Sequence, residues 1–325
     1  MSGNLPSTKS GGTSNLAIWA GLIAVYIVWG STYLAIFFVV QTIPPFLSAG
    51  TRFLIAGGVL YGFQRLRGDP APKRFEWRSA AIVGLLLLLG GNGGVVWAEQ
   101  RVASGITALL IGSVPLWMAM IDALRPAGQR PNRWVILGVI SGFLGIVILV
   151  GPAGLIGGEG QVDPVGALVL IMASLSWAIG SLYARGAKLP SSPLLGTGME
   201  MLAGSAGLFI MATISGEWGR LDLAAISTRS WLGMIYLIVF GAWVGFASYT
   251  WLLRVAPTML VSTYAYVNPL VAIFLGAMLA GEEITPRVLF AAVIIIGSVI
   301  LITMTQPALQ GSKVGEEVAL SAGDD

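Results

Sequence analysis

The sequence predicts an all-α integral membrane protein, with ten transmembrane helices arranged as two inverted five-helix repeats around a central cavity. Three observations carry this. The composition is too apolar for water, ten apolar runs are each long enough to span a bilayer, and rare residues recur between the two halves of the chain.

Of the 325 residues, 56% are hydrophobic and 10% are charged. A soluble domain carries about 25% charged residues. A chain this long and this apolar cannot hide its surface in one aqueous core, so the lipid bilayer must be its solvent. There is no cysteine and no histidine. That excludes disulfides, thiol catalysis and Cys-ligated metals, and it removes the commonest general base, metal ligand and proton relay. Residues 1–15 are rich in Gly, Ser and Thr and read as a disordered cytoplasmic tail, and residues 306–325 read as a second. The run Leu16 to Val40 is too long for a signal-peptide core and has no small-residue cleavage site, so it stays as a helix.

A helix needs about 20 apolar residues to cross the hydrocarbon. Such runs fall at roughly 16–40, 45–65, 78–98, 104–124, 133–151, 164–184, 193–215, 230–253, 257–280 and 287–305. Turn formers fill the gaps, among them Pro44-Pro45, Asp69-Pro70 and Gly157-Gly158. Stretches such as Leu85 to Leu89 do not alternate, which excludes a membrane barrel. With the loops assigned alternately to two sides, one side holds 13 basic residues and the other holds four: Arg101, Arg220, Arg229 and Arg287. Cytoplasmic loops are enriched in Lys and Arg, so both termini are expected in the cytoplasm.

The repeat is visible at two offsets. A shift of 148 places Trp29 on Trp177, Pro45 on Pro193 and Gly50 on Gly198. A shift of 154 places Trp77 on Trp231, Trp97 on Trp251, Pro115 on Pro269 and Arg133 on Arg287. The repeats are residues 16–151 and 164–305. Five spans per repeat force the second to enter from the opposite side. Inverted repeats place a substrate near the membrane midplane and alternate its access by rocking, which favours a transporter over a receptor or scaffold.

Val28-Trp29-Gly30-Ser31-Thr32-Tyr33, Gly50-Thr51-Arg52-Phe53 and Val114-Pro115-Leu116 lie in the first repeat. Ser176-Trp177-Ala178, Tyr266-Val267-Asn268-Pro269-Leu270 and Gly281-Glu282 lie in the second. In order and spacing these segments resemble the EamA-type members of the drug/metabolite transporter superfamily. The resemblance implies the inverted-repeat fold and export of amino acids or related metabolites. It leaves the substrate open, since the superfamily also moves drugs and nucleotide sugars. The expected location is a bacterial cytoplasmic (inner) membrane.

Candidate working residues follow from position. Pro115 and Pro269 sit near the middle of spans 4 and 9, and each removes a helical donor. They read as hinges or as ordinary kinks. Gly90 to Gly94 loosens span 3 around Asn92, either as an unwound substrate contact or as tight packing. Gly138 and Gly142 form a packing or dimer face. Tyr26, Trp29 and Tyr33 share one face of span 1, and Ser174, Trp177 and Ser181 share one face of span 6. They line a cavity or merely pack, with Trp243, Tyr264 and Asn268 as weaker cavity candidates. Arg52 and Glu200 are repeat-equivalent charges within spans and are expected to pair, either to grip a zwitterion or as a static brace.

A single arginine at depth disfavours phosphorylated substrates and favours neutral, zwitterionic or cationic ones. There is no histidine, no evident aspartate pair and no phosphate loop, so neither enzyme activity nor ATP drive within this chain is expected. Apart from the lipid bilayer and a small-molecule substrate, no cofactor, metal or nucleic-acid partner is expected. The chain is expected to act as a monomer or homodimer. The readings in contention are an amino-acid and metabolite exporter, a broad drug or organic-cation exporter, and a non-transporting receptor or scaffold.

Overall fold

The computed structural model describes residues 15–124, 132–156, 162–245, 248, 249, 251, 252, 256, 261 and 263–305. The predicted tails lie outside the described residues, apart from Asn15, which already begins a helix. Ten apolar helices follow in order: α1 (Asn15–Val40), α2 (Pro45–Leu66), α3 (Arg74–Ala98), α4 (Ser104–Leu124), α5 (Arg133–Ile156), α6 (Pro164–Ala184), α7 (Pro193–Ile214), α8 (Thr228–Val244), α9 (Tyr264–Ala280) and α10 (Pro286–Thr305). Eight of them are long and apolar enough to cross a membrane, while α8 and α9 are shorter. Parts of the expected spans 230–253 and 257–280 fall outside the described residues.

Sequence fixes the helix starts. Pro45, Pro164 and Pro193 open α2, α6 and α7, where the missing N–H is no loss and the fixed φ suits the first turn. The outward faces are apolar: Ile136, Leu137, Ile140, Leu144 and Val147 are all exposed along α5. A stripe of that size suits lipid rather than water.

The packing obeys a pseudo-two-fold rule. Helix α1 packs on α8 and α9, and α6 packs on α3 and α4, its repeat-equivalent neighbours. The pairs α2–α7 and α5–α10 each map onto themselves. Individual contacts repeat as well. A Cβ added to Gly57 would stand 2.9 Å from the Gly198 carbonyl oxygen. The symmetry-related contact is the 2.8 Å hydrogen bond that Ser205 Oγ donates to the Gly50 carbonyl. Likewise Trp29 lies against Gly245, where a Cβ would meet the indole nitrogen at 2.3 Å, and Trp177 lies against Gly91, where a Cβ would meet its ring at 2.6 Å. Small residues let the membrane helices approach this closely.

At two places the structure decides between readings the sequence leaves open, in favour of packing, and at span 4 it departs from a continuous helix. The glycine run of span 3 does not unwind. It lies in a widened π-helical stretch, Leu85–Asn92, and its counterpart in α8 is Leu237–Val244. Both stretches stay helical because side chains from the packed neighbour satisfy their carbonyls: Ser176 Oγ donates to Leu86 at 2.7 Å, and Trp29 Nε1 donates to Gly241 at 3.3 Å. Span 4 is not a kinked continuous helix. It breaks at Gly112-Ser113 into Ser104–Ile111 and Val114–Leu124, which puts Pro115 in a first turn. The Gly138/Gly142 face is internal: a Cβ on Gly138 would meet Ile302 at 2.6 Å, and one on Gly142 would meet Leu116 at 2.5 Å.

Two helix ends share one device. Gly216 after α7 and Gly281 after α9 adopt left-handed φ values of 68° and 69°. Glycine adopts this conformation without strain and turns the chain sharply after a helix. In each case the next residue is a glutamate that caps another helix. Glu217 accepts from the Phe46 and Leu47 amides of α2 at 3.3 and 2.9 Å. Glu282 accepts from the Ser104 and Gly105 amides of α4 at 2.7 and 3.0 Å. Carboxylates at helix N-termini satisfy free N–H groups and oppose the positive end of the helix dipole. Glu217→Ala should therefore cost about 1–2 kcal/mol, read as a lowered unfolding temperature in detergent. An unchanged unfolding temperature would remove Glu217 as a cap.

Candidate functional site

An aromatic cluster forms where α1 meets α8 and α9. The Trp29 ring lies 5.1 Å from both Tyr249 and Tyr264, and those two tyrosines stand 5.7 Å apart edge to face. Tyr26 is hydrogen-bonded to Thr263 Oγ1 beside it. Tyr264 and Asn268 lie one helical turn apart on α9, and Asn268 is buried with no hydrogen-bond partner for its Oδ1 among the described residues. The Asn268 carbonyl approaches Gly30 on α1, where an added Cβ would lie 3.2 Å from it. Tyr26, Trp29, Tyr264 and Asn268 are thus gathered in one place.

The other predicted residues are elsewhere. Trp177 packs on Gly91 in α3, and Ser181 is half-buried on α6. Ser174 faces the α4 break, accepting from Trp117 Nε1 at 2.9 Å and from Ser113 Oγ at 3.3 Å. Trp243 donates to the Ala56 carbonyl at 3.3 Å and so ties α8 to α2. Pro269 lies inside α9 and meets the α4 break directly: a Cβ on Gly112 would stand 3.2 Å from its Cγ.

A second cluster is polar and centres on Arg52. Its guanidinium donates to Asn92 Oδ1 at 2.6 Å and lies over the Phe53 ring. The expected Arg52–Glu200 pair is not formed. Asn92, from the π stretch of α3, reaches Arg52 instead. The carboxylate that shares this cluster is Glu99, one residue past the end of α3 and 2% exposed. Neither of its oxygens has a hydrogen-bond partner among the described residues. Burial first, and the charge of Glu282 second, push its carboxyl well above the ordinary carboxylate range, against a downward pull from Arg52. Tyr33 on α1 also lies within electrostatic reach of Glu99 and so joins this cluster. Two small clefts flank it. One is lined by Ile36, Ser48, Arg52, Val96 and Leu237, and the other by Ala103, Gly105, Glu282, Glu283 and Val288. Neither has room for more than about one water molecule, so neither is a formed ligand pocket.

Sequence reasoning missed Glu99, Tyr249 and the capping role of Glu282. Glu99 looks like a loop charge beside Gln100 and Arg101. The available signal was its place directly after an apolar run, with no polar spacer. Glu282 carried a stronger signal in the Gly-Glu pair that ends span 9.

The EamA-like transporter family model matches the chain twice, over residues 15–151 and 164–304. The chain belongs to the EamA-like transporter family. An EamA-like relative, the uncharacterized inner membrane transporter YedA of Escherichia coli (strain K12), is 38% identical over 291 residues, which covers 89% of this chain and 91% of that protein. A WAT1-related chloroplast protein of Arabidopsis thaliana is 24% identical over 300 residues, covering 91% of this chain and 72% of that one. A solved crystal structure superposes with a TM-score of 0.60 at 22% identity, covering 90% of this chain and all of that one, a likeness of fold alone. The EamA-like chain is therefore an integral membrane protein of a transporter family.

Proposed function

We propose that this EamA-like protein exports amino acids, aromatic and neutral ones above all, and related small metabolites from the cytoplasm by alternating access. The observation that carries the reading is the cluster of Trp29, Tyr249 and Tyr264, with Asn268 one helical turn along α9 and its buried amide oxygen unpartnered among the described residues. Aromatic faces attract an ammonium group and accept an apolar side chain, and a buried acceptor without a donor favours a ligand that supplies one. The cluster lies where α1 of one repeat meets α8 and α9 of the other, the kind of interface that rocking would open. The excess of basic residues in alternate loops supports cytoplasmic termini.

Proteoliposomes test the reading. Labelled aromatic amino acid should equilibrate, and excess unlabelled amino acid should compete with it. Flux of cationic dyes alone would make the substrates organic cations, and absence of any flux would leave a scaffold. The chain has no native cysteine, so Ser2→Cys reports orientation cleanly. It should resist an impermeant maleimide in intact cells, and labelling there would reverse the topology.

A further inference from the structure

Glu99 and Glu282 lie within electrostatic reach of each other near one end of the bundle, and their surroundings differ. Glu282 is half-buried, borders the cleft that reaches exposed Glu283, and receives two amide hydrogen bonds. Those donors stabilise its charge. Glu99 is buried deeper and receives none. An ionised carboxylate without donors in such a place is costly by several kcal/mol, and the group takes a proton instead. Three titratable groups lie within electrostatic reach of it: Arg52 on α2, Tyr33 on α1 and Glu282 in the turn after α9, so one cation stands against two carboxylates and a phenol. Arg52 spends one arm on Asn92, and its Nε is buried without a partner. An orphaned carboxylate and an orphaned guanidinium nitrogen thus share one cluster without bonding to each other.

We propose that Glu99 is a proton-binding site of this protein, loaded and unloaded through Glu282 from the aqueous phase at that end of the bundle. When Glu99 holds the proton it is neutral, and Arg52 stays on Asn92, as observed. When it releases the proton to Glu282 and on to water, the new carboxylate needs a donor, and Arg52 Nε is the one at hand. Moving Arg52 from Asn92 to Glu99 pulls α2 from the π stretch of α3 towards the end of the same helix. The site itself is independent of the transport reading. Its consequence, flux controlled by the pH on that side, rests on that reading.

Two readouts separate the two. Full-length protein in nanodiscs, stepped in pH, should show an infrared band of a protonated carboxyl that disappears in Glu99→Gln and persists in Glu282→Gln. Arg52→Gln removes the cation that favours ionisation, so the band should titrate at higher pH. A folded-state carboxyl held above its unfolded value loses stability as pH rises through that window. The wild-type unfolding temperature should therefore fall as pH rises above the ordinary carboxylate range, and Glu99→Gln should flatten that fall. A band and a stability profile unchanged in Glu99→Gln would overturn the proposal. If Glu99→Gln fails to fold, an unmoved band in Arg52→Gln decides against it equally. In proteoliposomes, exchange by wild type and by Glu99→Asp should change with the pH on that side, and exchange by Glu99→Gln should not. An equal pH dependence in wild type and Glu99→Gln would overturn the pH control of flux. Vesicles that move no solute at all would sink the transport reading, while the infrared and unfolding results still decide the proton site.

Discussion

Gly84→Ala should destabilise this protein more than any other single-methyl addition considered. The added Cβ would lie 2.2 Å from the Glu200 carbonyl oxygen and 3.1 Å from the Gly204 nitrogen. All of the colliding atoms are backbone, so no side chain can rotate away, and α3 and α7 would have to separate along their crossing. Overpacking of this kind costs about 1–3 kcal/mol, and the ~0.5–1 kcal/mol that alanine gains over glycine in a helix offsets only part of it. Gly62→Ala is the control, because its Cβ would meet nothing within 4 Å. Gly84→Ala should unfold at a lower temperature and express poorly, whereas Gly62→Ala should match or exceed wild type. Equal unfolding temperatures for Gly84→Ala and wild type would mean that the crossing is looser than the structure draws it.

Pro269→Ala should slow substrate flux about tenfold, equivalent to about 1.4 kcal/mol on the barrier, with little change in substrate affinity. The ring occupies the interior of α9 and touches the α4 break at Gly112, so the two interrupted helices meet at their weak points. Alanine restores an N–H to the Ala265 carbonyl, stiffens α9 and favours one access state over the other. Pro115→Ala should do less, because Pro115 occupies the first turn of a separate helical piece, where proline removes no bond that would otherwise form. Flux ratios from counterflow, with affinity from competition, check both variants. Undiminished flux in Pro269→Ala would leave it an ordinary kink.

The span count and the repeat were legible because each is a one-dimensional signal. Twenty apolar residues in a row and tryptophans at a fixed offset need no knowledge of contacts. Trp29 and Trp177 could be paired from sequence for the same reason. What they lie against, Gly245 and Gly91, could not, since many glycines were available and only packing chooses among them. The Arg52–Glu200 pairing failed instructively. Repeat equivalence relates Arg52 to Glu200 without bringing them into contact, and Asn92 on α3 takes the guanidinium. Glu99 was illegible because burial at a span end depends on how neighbouring helices cover it. Here α6, α2 and α1 pack on the last stretch of α3.

The contacts on the pseudo-two-fold axis carry one more consequence. A transporter whose halves were identical would find its inward-open and outward-open forms equal in energy, since each form would be the other turned over. Here one axial contact is Gly57 against Gly198, and its counterpart is Gly50 held by the Ser205 hydroxyl. Every such inequality acts as a weight on one side of a balance. A net preference for one open face is thus written into the differences between the two copies, and a sequence drifting after duplication can set resting orientation without touching the substrate path.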